Sequence, residues 1–370
     1  MKKRIHDSSI FKFILLVLLP IMILLVCQFR LPNYYSMMVS LFLINVILTA
    51  SLNLTNGFTG IFSIGHAGFM AIGAYVASLL TLNKEMKLAR IENIPDWLAG
   101  IQLPFPVAII IAGLIAMAVA AIIGFPVLRA RGDYLSVMTL GLIIIIKAVI
   151  DNNKNITNGS KGLGGMKGYA TLPVVFVITL ISLFLLYRIV KSAYGRNMTA
   201  IRDDEAAAVS LGINATKYRI LSFALSAFFG AVGGALWAHL QKSIAPGYFY
   251  FDETFSIVQM SVLGGMYSLS GAIPGAFIIT FLPQLLAGLE NGFTLFGMAV
   301  PPLYGLSKIT MSVLFILVII FHRQGITGRS DYILESIFDK NTYLGIVKKS
   351  SWNEMFNIMG SMFKHKKNKN

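Results

Sequence analysis

The sequence predicts an all-α, polytopic integral membrane protein, and three observations carry that expectation. Of 370 residues, 56% are hydrophobic and only 13% charged, with a mean hydropathy of +0.73; a soluble domain carries about a quarter charged residues. Apolar runs long enough to cross a bilayer as helices recur near 13–29, 34–54, 61–82, 105–128, 134–151, 171–190, 219–240, 253–269, 272–289 and 303–321, which is about ten spans. Charge sits between the runs: none of the 16 acidic residues falls in the middle of one, and Asp252, Glu253 and Glu290 lie at edges. Intramembrane carboxylates mark proton and ion pathways, so their absence speaks against a proton-coupled carrier. A sodium-coupled secondary carrier, with a site built from backbone carbonyls, stays open as the less favoured reading.

Taken in order, Lys2, Lys3, Arg4 and Lys12 precede the first apolar run as in a signal peptide. No small-x-small cleavage site follows, so the run is expected to remain as the first span. The single cysteine, Cys27, leaves no internal disulfide and no cysteine-rich metal site. The net charge of +15 could indicate nucleic acid, but its placement indicates lipid instead. With the N-terminus inside, most of the 31 Lys and Arg residues fall before the first span, at Arg129 and Arg131, between Arg188 and Arg219, and after Arg323. The positive-inside rule then puts both termini and the 194–219 loop in the cytoplasm.

Residues 53–75, NLTNGFTGIFSIGHAGFMAIGAY, are glycine-dense around a lone His66, and 262–276, VLGGMYSLSGAIPGA, place Pro274 in an apolar run. Glycine at this density favours close packing or broken helices beside a pathway, which makes Gly65, His66, Gly68, Gly264 and Gly265 candidate pathway or packing residues. In the seventh span Ser226, Gly230, Gly234 and Ala238 recur every four residues; Gly230 and Gly234 form a GxxxG pair that lets two helices meet backbone to backbone.

The longest charged interruption, 194–219, reads YGRNMTAIRDDEAAAVSLGINATKYR. Asp203 is placed to N-cap a short helix, Asp204 and Glu205 favour its N-terminus, and Gly212 supplies the stop after roughly two turns. Ile201, Ala208 and Leu211 fall near one face, which is expected to enter a partner's groove.

Bond-making chemistry is missing from the pattern. No GxxxxGK[ST] loop and no HExxH occurs, and the five histidines are scattered at 6, 66, 239, 322 and 365. The chain is expected not to be an enzyme, so work against a gradient must draw on a partner's energy.

The order of these motifs resembles a family. GFTGIFSIGHAGFMAIGAY, RGDYLSVMTLG at 131–141, NGSKGLGG at 158–165, the stretch from Gly195 to Leu236, VLGGMYSLSGAIPGA and FHRQGITG at 321–328 are similar to LivM-type permeases. These are membrane subunits of bacterial branched-chain amino-acid ABC importers, and the resemblance covers about residues 35–328. From the resemblance together with the apolar runs and the charge pattern, a permease domain is expected over 1–321 in the cytoplasmic membrane, with a basic cytoplasmic tail over 322–370. The resemblance also implies four kinds of partner: a homologous second permease subunit, two ATP-binding subunits holding ATP and Mg, an extracytoplasmic substrate-binding protein, and membrane lipid. No cofactor is expected on this chain, and no nucleic acid.

By the same resemblance, Arg202, Asp203, Asp204, Glu205, Ala206, Ala207, Ala208 and Gly212 form the loop that couples to the ATPase. Three departures stand out: Ile143 and Ile144 follow TLG where a Gly-Glu pair is usual, Tyr267 replaces a glycine, and Arg323 a proline. Urea importers use closely similar permeases, so urea or a short-chain amide remains an alternative substrate class.

Beyond the resemblance, Ser351 and Glu354 fit a capping box, and Trp352, Met355, Phe356, Met359, Met362 and Phe363 form one apolar stripe before a lysine cluster. That pattern predicts a helix lying on the anionic cytoplasmic leaflet.

Overall fold

The computed structural model describes residues 33–129, 133–290, 293–295, 298–300, 305–322 and 324–328; the expected first span and the 351–363 stripe lie outside them. Helix α1 (Asn33–Asn53) runs into a π-helical turn, Leu54–Phe58. An extended stretch then leads to α2 (His66–Thr81). The expected span at 61–82 therefore starts as helix only at His66. The reason is local: the Asn56 side chain donates to the Ser63 carbonyl at 3.1 Å and accepts from its N–H at 3.0 Å, holding the chain out of helical geometry.

Two short helices, Lys84–Arg90 and Asp96–Ala99, precede α3 (Phe105–Val127) and α4 (Asp133–Asn152). After a helical turn at Lys154–Thr157 comes strand β1 (Leu163–Gly164), then α5 (Leu172–Lys191), α6 (Ala193–Asp203), α7 (Glu205–Ser210) and α8 (Ala215–Gln241). Strand β2 (Ser243–Ile244) pairs antiparallel with β1, tying the glycine-rich 158–165 loop to the end of α8. Helices α9 (Phe251–Gly264) and α10 (Ala272–Glu290), the hairpin β3 (Phe293–Leu295) and β4 (Met298–Val300), and α11 (Leu306–Phe321) complete the described chain.

Among the described residues, five segments are long and apolar enough to cross a membrane: α1 with its π turn, α3, Tyr134–Asn152, α5 and α8. Helices α2 and α11 have 16 residues each, about 24 Å at 1.5 Å per residue, against roughly 30 Å of hydrocarbon. The core is built on α8, which packs against α2 and α3. Ile110 and Ile122 on α3 and Ile316 and Ile320 on α11 are exposed, as apolar side chains facing lipid would be.

The expected run at 253–269 also breaks. Helix α9 stops at Gly264 because Gly265 takes φ +121°, a backbone conformation that a side chain strongly disfavours. The 324–328 segment satisfies carbonyls stranded there. Ile326 N–H donates to Leu263 O at 3.0 Å, and the Thr327 N–H and hydroxyl donate to Gly264 O at 3.1 and 2.8 Å. From α1, the Asn53 amide donates to Ser268 O at 2.8 Å, so the 265–271 loop is anchored from two directions.

Candidate coupling and packing site

The charged interruption folds into two helices set between α5 and α8. Helix α6 is still helical at Asp203, which therefore cannot cap α7; the chain breaks one residue later, where Asp204 is extended (φ −155°) and its carboxylate accepts from Ala207 N–H at 3.0 Å. Asp204, not Asp203, is the N-cap of α7. Asp203 instead accepts from Arg202, whose Nε and Nη2 lie 2.9 and 2.7 Å from its Oδ1.

Helix α7 has six residues, shorter than the two turns expected. It closes with Gly212 in the left-handed region (φ +83°): Gly212 N–H donates to Val209 O at 2.9 Å and Ile213 N–H to Ala208 O at 3.1 Å. This is a Schellman ending, and Ile213 completes it by packing near Ala208.

The expected docking face is corrected by the fold. Ile201 and Ala208 do not share an open face with Leu211; they are 3% and 2% exposed and form a small core with Ala215. The two helices need that apolar contact to fold against α8. What remains open at the tip is Ala206, Ala207, Val209, Ser210 and Leu211, with Leu211 81% exposed. Glu205 is turned toward the protein, where both its oxygens accept from Arg219 on α8 at 3.0 and 2.9 Å. A two-pronged carboxylate–guanidinium pair fixes orientation as well as distance.

Arg202 makes the long-range connection. Its Nη1 donates to the Gly57 carbonyl at 3.0 Å, and its guanidinium lies 5.2 Å from the centre of the Tyr267 ring. Its aliphatic stem runs along Gly60, where a Cβ would come within 2.8 Å of Arg202 Cγ. The π turn after α1 and the loop between α9 and α10, both glycine-rich in sequence, thus meet on one side chain. Gly57, Gly60, Tyr267 and Arg219 carry no individual signal as site residues in the sequence. Glycine density marks the first two, whereas the tyrosine is visible only as a departure.

The candidate glycines are close-packing positions. A Cβ on Gly234 would overlap the Met70 carbonyl of α2, and one on Gly230 would stand 2.9 Å from the His66 ring. His66 is buried and its Nε2 lies 2.8 Å from Ser51 Oγ, while Ser226 donates to Ser51 O at 2.6 Å. The row on α8 therefore fits against α1 and α2. Gly65 and Gly68 face α4: a Cβ would stand 3.0 Å from Thr139 O and 2.8 Å from Ile146 Cδ1 respectively. Ile143, which departs from the usual Gly-Glu, is fully buried beside Gly68. A Cβ on Gly264 would overlap the Gly271 carbonyl across the α9–α10 loop, and Gly265 faces Thr327 Oγ1.

A helical body with several membrane-length apolar helices, and a short capped helix pair carried outside its apolar spans, defines the class: an all-α polytopic membrane protein. The chain belongs to the family described as branched-chain amino acid transport system / permease component, whose model matches residues 34–322.

Among curated relatives, the high-affinity branched-chain amino acid transport system permease protein LivM of Escherichia coli (strain K12) is 31% identical over 67% of this chain and 62% of its own length. The chain thus spans less than two thirds of that relative. A probable branched-chain amino acid transport permease protein LivM from Methanocaldococcus jannaschii is 25% identical over 79% of this chain and 92% of its own length. The probable LivH protein of the same organism is 25% identical over 76% and 88%. No solved structure matches.

Proposed function

We propose that the chain is the permease subunit of an ATP-driven importer that carries branched-chain amino acids across the bacterial cytoplasmic membrane, with both termini in the cytoplasm. ATP and Mg are held by two separate ATP-binding subunits, an extracytoplasmic binding protein delivers substrate, and a second permease subunit completes the pathway. The names of the LivM and LivH relatives support the substrate and a paired permease. The observation that carries the reading is Arg202, which joins the exposed α6–α7 tip to two glycine-rich interruptions in the membrane body. A push on the tip by a partner has a direct route to the segments where helices break.

The test is uptake of radiolabelled leucine into proteoliposomes holding the four-component complex, with ATP inside and binding protein outside, beside a parallel assay with urea. ATP-dependent leucine uptake supports the reading. Urea uptake without leucine uptake overturns the substrate, and uptake driven by a sodium gradient without ATP overturns the mechanism.

A further inference from the structure

A cavity of about 450 Å³ opens between α9, α10 and α11, apart from the coupling segment. Its walls combine apolar side chains, Phe255, Ile279 and Met311, with charges of opposite sign, Asp252 on the first turn of α9 and Lys308 on the first turn of α11. Neither charge has an ion-pair partner among the described residues. Asp252, Ser256 and Gln259 sit at i, i+4 and i+7 and so line the cavity from one face of α9. Ser256 and Ser312 each donate their hydroxyl proton to the backbone carbonyl four residues earlier, at 2.8 and 2.9 Å. Their oxygens are left as acceptors.

Helix α10 contributes Ile279 and Pro283 to the same wall. An anionic group, a cation, an amide and spare acceptors converge on a pocket with apolar sides, the composition of a small-molecule site.

We propose that this cavity is a subsite for a small zwitterion, an α-amino acid in transit. Asp252 receives its ammonium, Lys308 receives its carboxylate, and Phe255, Ile279 and Met311 cover its apolar side chain. This rests on the importer reading above and adds a site to it. A phosphatidylethanolamine headgroup carries the same ammonium and anionic oxygens, so the experiment separates the two sources.

The complex is reconstituted in nanodiscs of phosphatidylglycerol alone and of phosphatidylglycerol with phosphatidylethanolamine, and radiolabelled leucine binding is measured without the binding protein. Wild type is compared with Asp252→Asn and Lys308→Met, whose assembly is checked by co-elution of the subunits. Leucine should bind in both lipids and be displaced poorly by 4-methylpentanoate, which lacks the ammonium. Each variant should bind about tenfold or more weakly, the scale of one lost charged hydrogen bond, and Asp252→Asn should lose the discrimination against 4-methylpentanoate. Equal leucine affinity in assembled variants overturns the proposal while leaving ATP-driven uptake by wild type intact. Retention of phosphatidylethanolamine by wild type and not by the variants, with no leucine bound, reassigns the cavity to lipid. Failure of wild type to import leucine at all counts instead against the importer reading.

Discussion

The guanidinium of Arg202 donates to the carbonyl of Gly57 at 3.0 Å across a sequence separation of 145 residues. Gly57 lies in the π-helical turn that ends α1, where a Cβ would overlap the Met266 carbonyl of the α9–α10 loop. The ring of Tyr267, next in that loop, has its centre 5.2 Å from the same guanidinium. Three backbone segments that are each interrupted therefore converge within one side chain's reach. Arginine suits the position because it supplies planar donors and an aromatic-stacking face together, which lysine does not.

The Glu205–Arg219 pair should act as the hinge-pin of α7. Both side chains are partly exposed, 33% and 22%, so the direct loss from Glu205→Gln is modest, about 1 kcal/mol. Orientation is the larger effect: Glu205→Arg should lower ATP-linked uptake severalfold, and adding Arg219→Glu should recover part of it. Vesicle uptake with matched protein levels checks this. No recovery in the double variant would leave the pair without a role of its own.

Leu211 is 81% exposed beside Gly212, at the tip proposed above to meet the ATP-binding subunits. Leu211→Asp should reduce co-purification of the ATP-binding subunits at least tenfold, while melting of the isolated permease stays unchanged. Gly212→Val should act differently, straining a left-handed turn and loosening α7 itself.

Gly234 and Gly141 make a matched comparison. Gly234→Ala pushes a methyl into the Met70 backbone, a contact that no side-chain rotation relieves, and should cost about 1–3 kcal/mol. Gly141→Ala meets nothing within 4 Å and should be neutral or stabilising by up to about 1 kcal/mol from helix propensity. Thermal midpoints in one detergent decide it; equal midpoints would mean that α2 and α8 do not meet as described.

Lys87 is fully buried, with its ammonium donating to the carbonyls of Leu98 at 3.0 Å and of Ile101. Burial pushes its pKa below the ordinary lysine value of 10.5. Between the lowered value and 10.5 the folded state binds fewer protons than the unfolded state, so stability from this group rises with pH across that window. Lys87→Met leaves two carbonyls unpaired, at about 1–3 kcal/mol each. The gap in melting midpoint between wild type and Lys87→Met should widen as pH approaches 10.5, and a gap that narrows would contradict the burial of the charge.

The spans and glycine interruptions were legible because a bilayer imposes a length and a composition that any apolar run displays. One short helix in the charged loop was legible, but not its exact start, nor the helix α6 that precedes it. Two adjacent aspartates both suit a cap, and the choice of Asp204 depends on how far α6 continues against α8, which local sequence does not encode. Ile201 and Ala208 looked like a docking face because an apolar stripe has the same spacing whether it meets a partner or its own chain. The Arg202–Gly57 contact carries no local signal; only the glycines that make room for the arginine stem were visible.

If Arg202 carries motion from the α6–α7 tip into the membrane body, its loss must uncouple transport from ATP hydrolysis. The most direct test is the ratio of leucine imported to ATP hydrolysed by the reconstituted complex, measured for wild type, Arg202→Lys and Arg202→Ala. Arg202→Ala should assemble and hydrolyse ATP but import at least tenfold less leucine per ATP, with Arg202→Lys closer to alanine than to wild type. A wild-type ratio in Arg202→Ala would contradict the coupling role of this arginine.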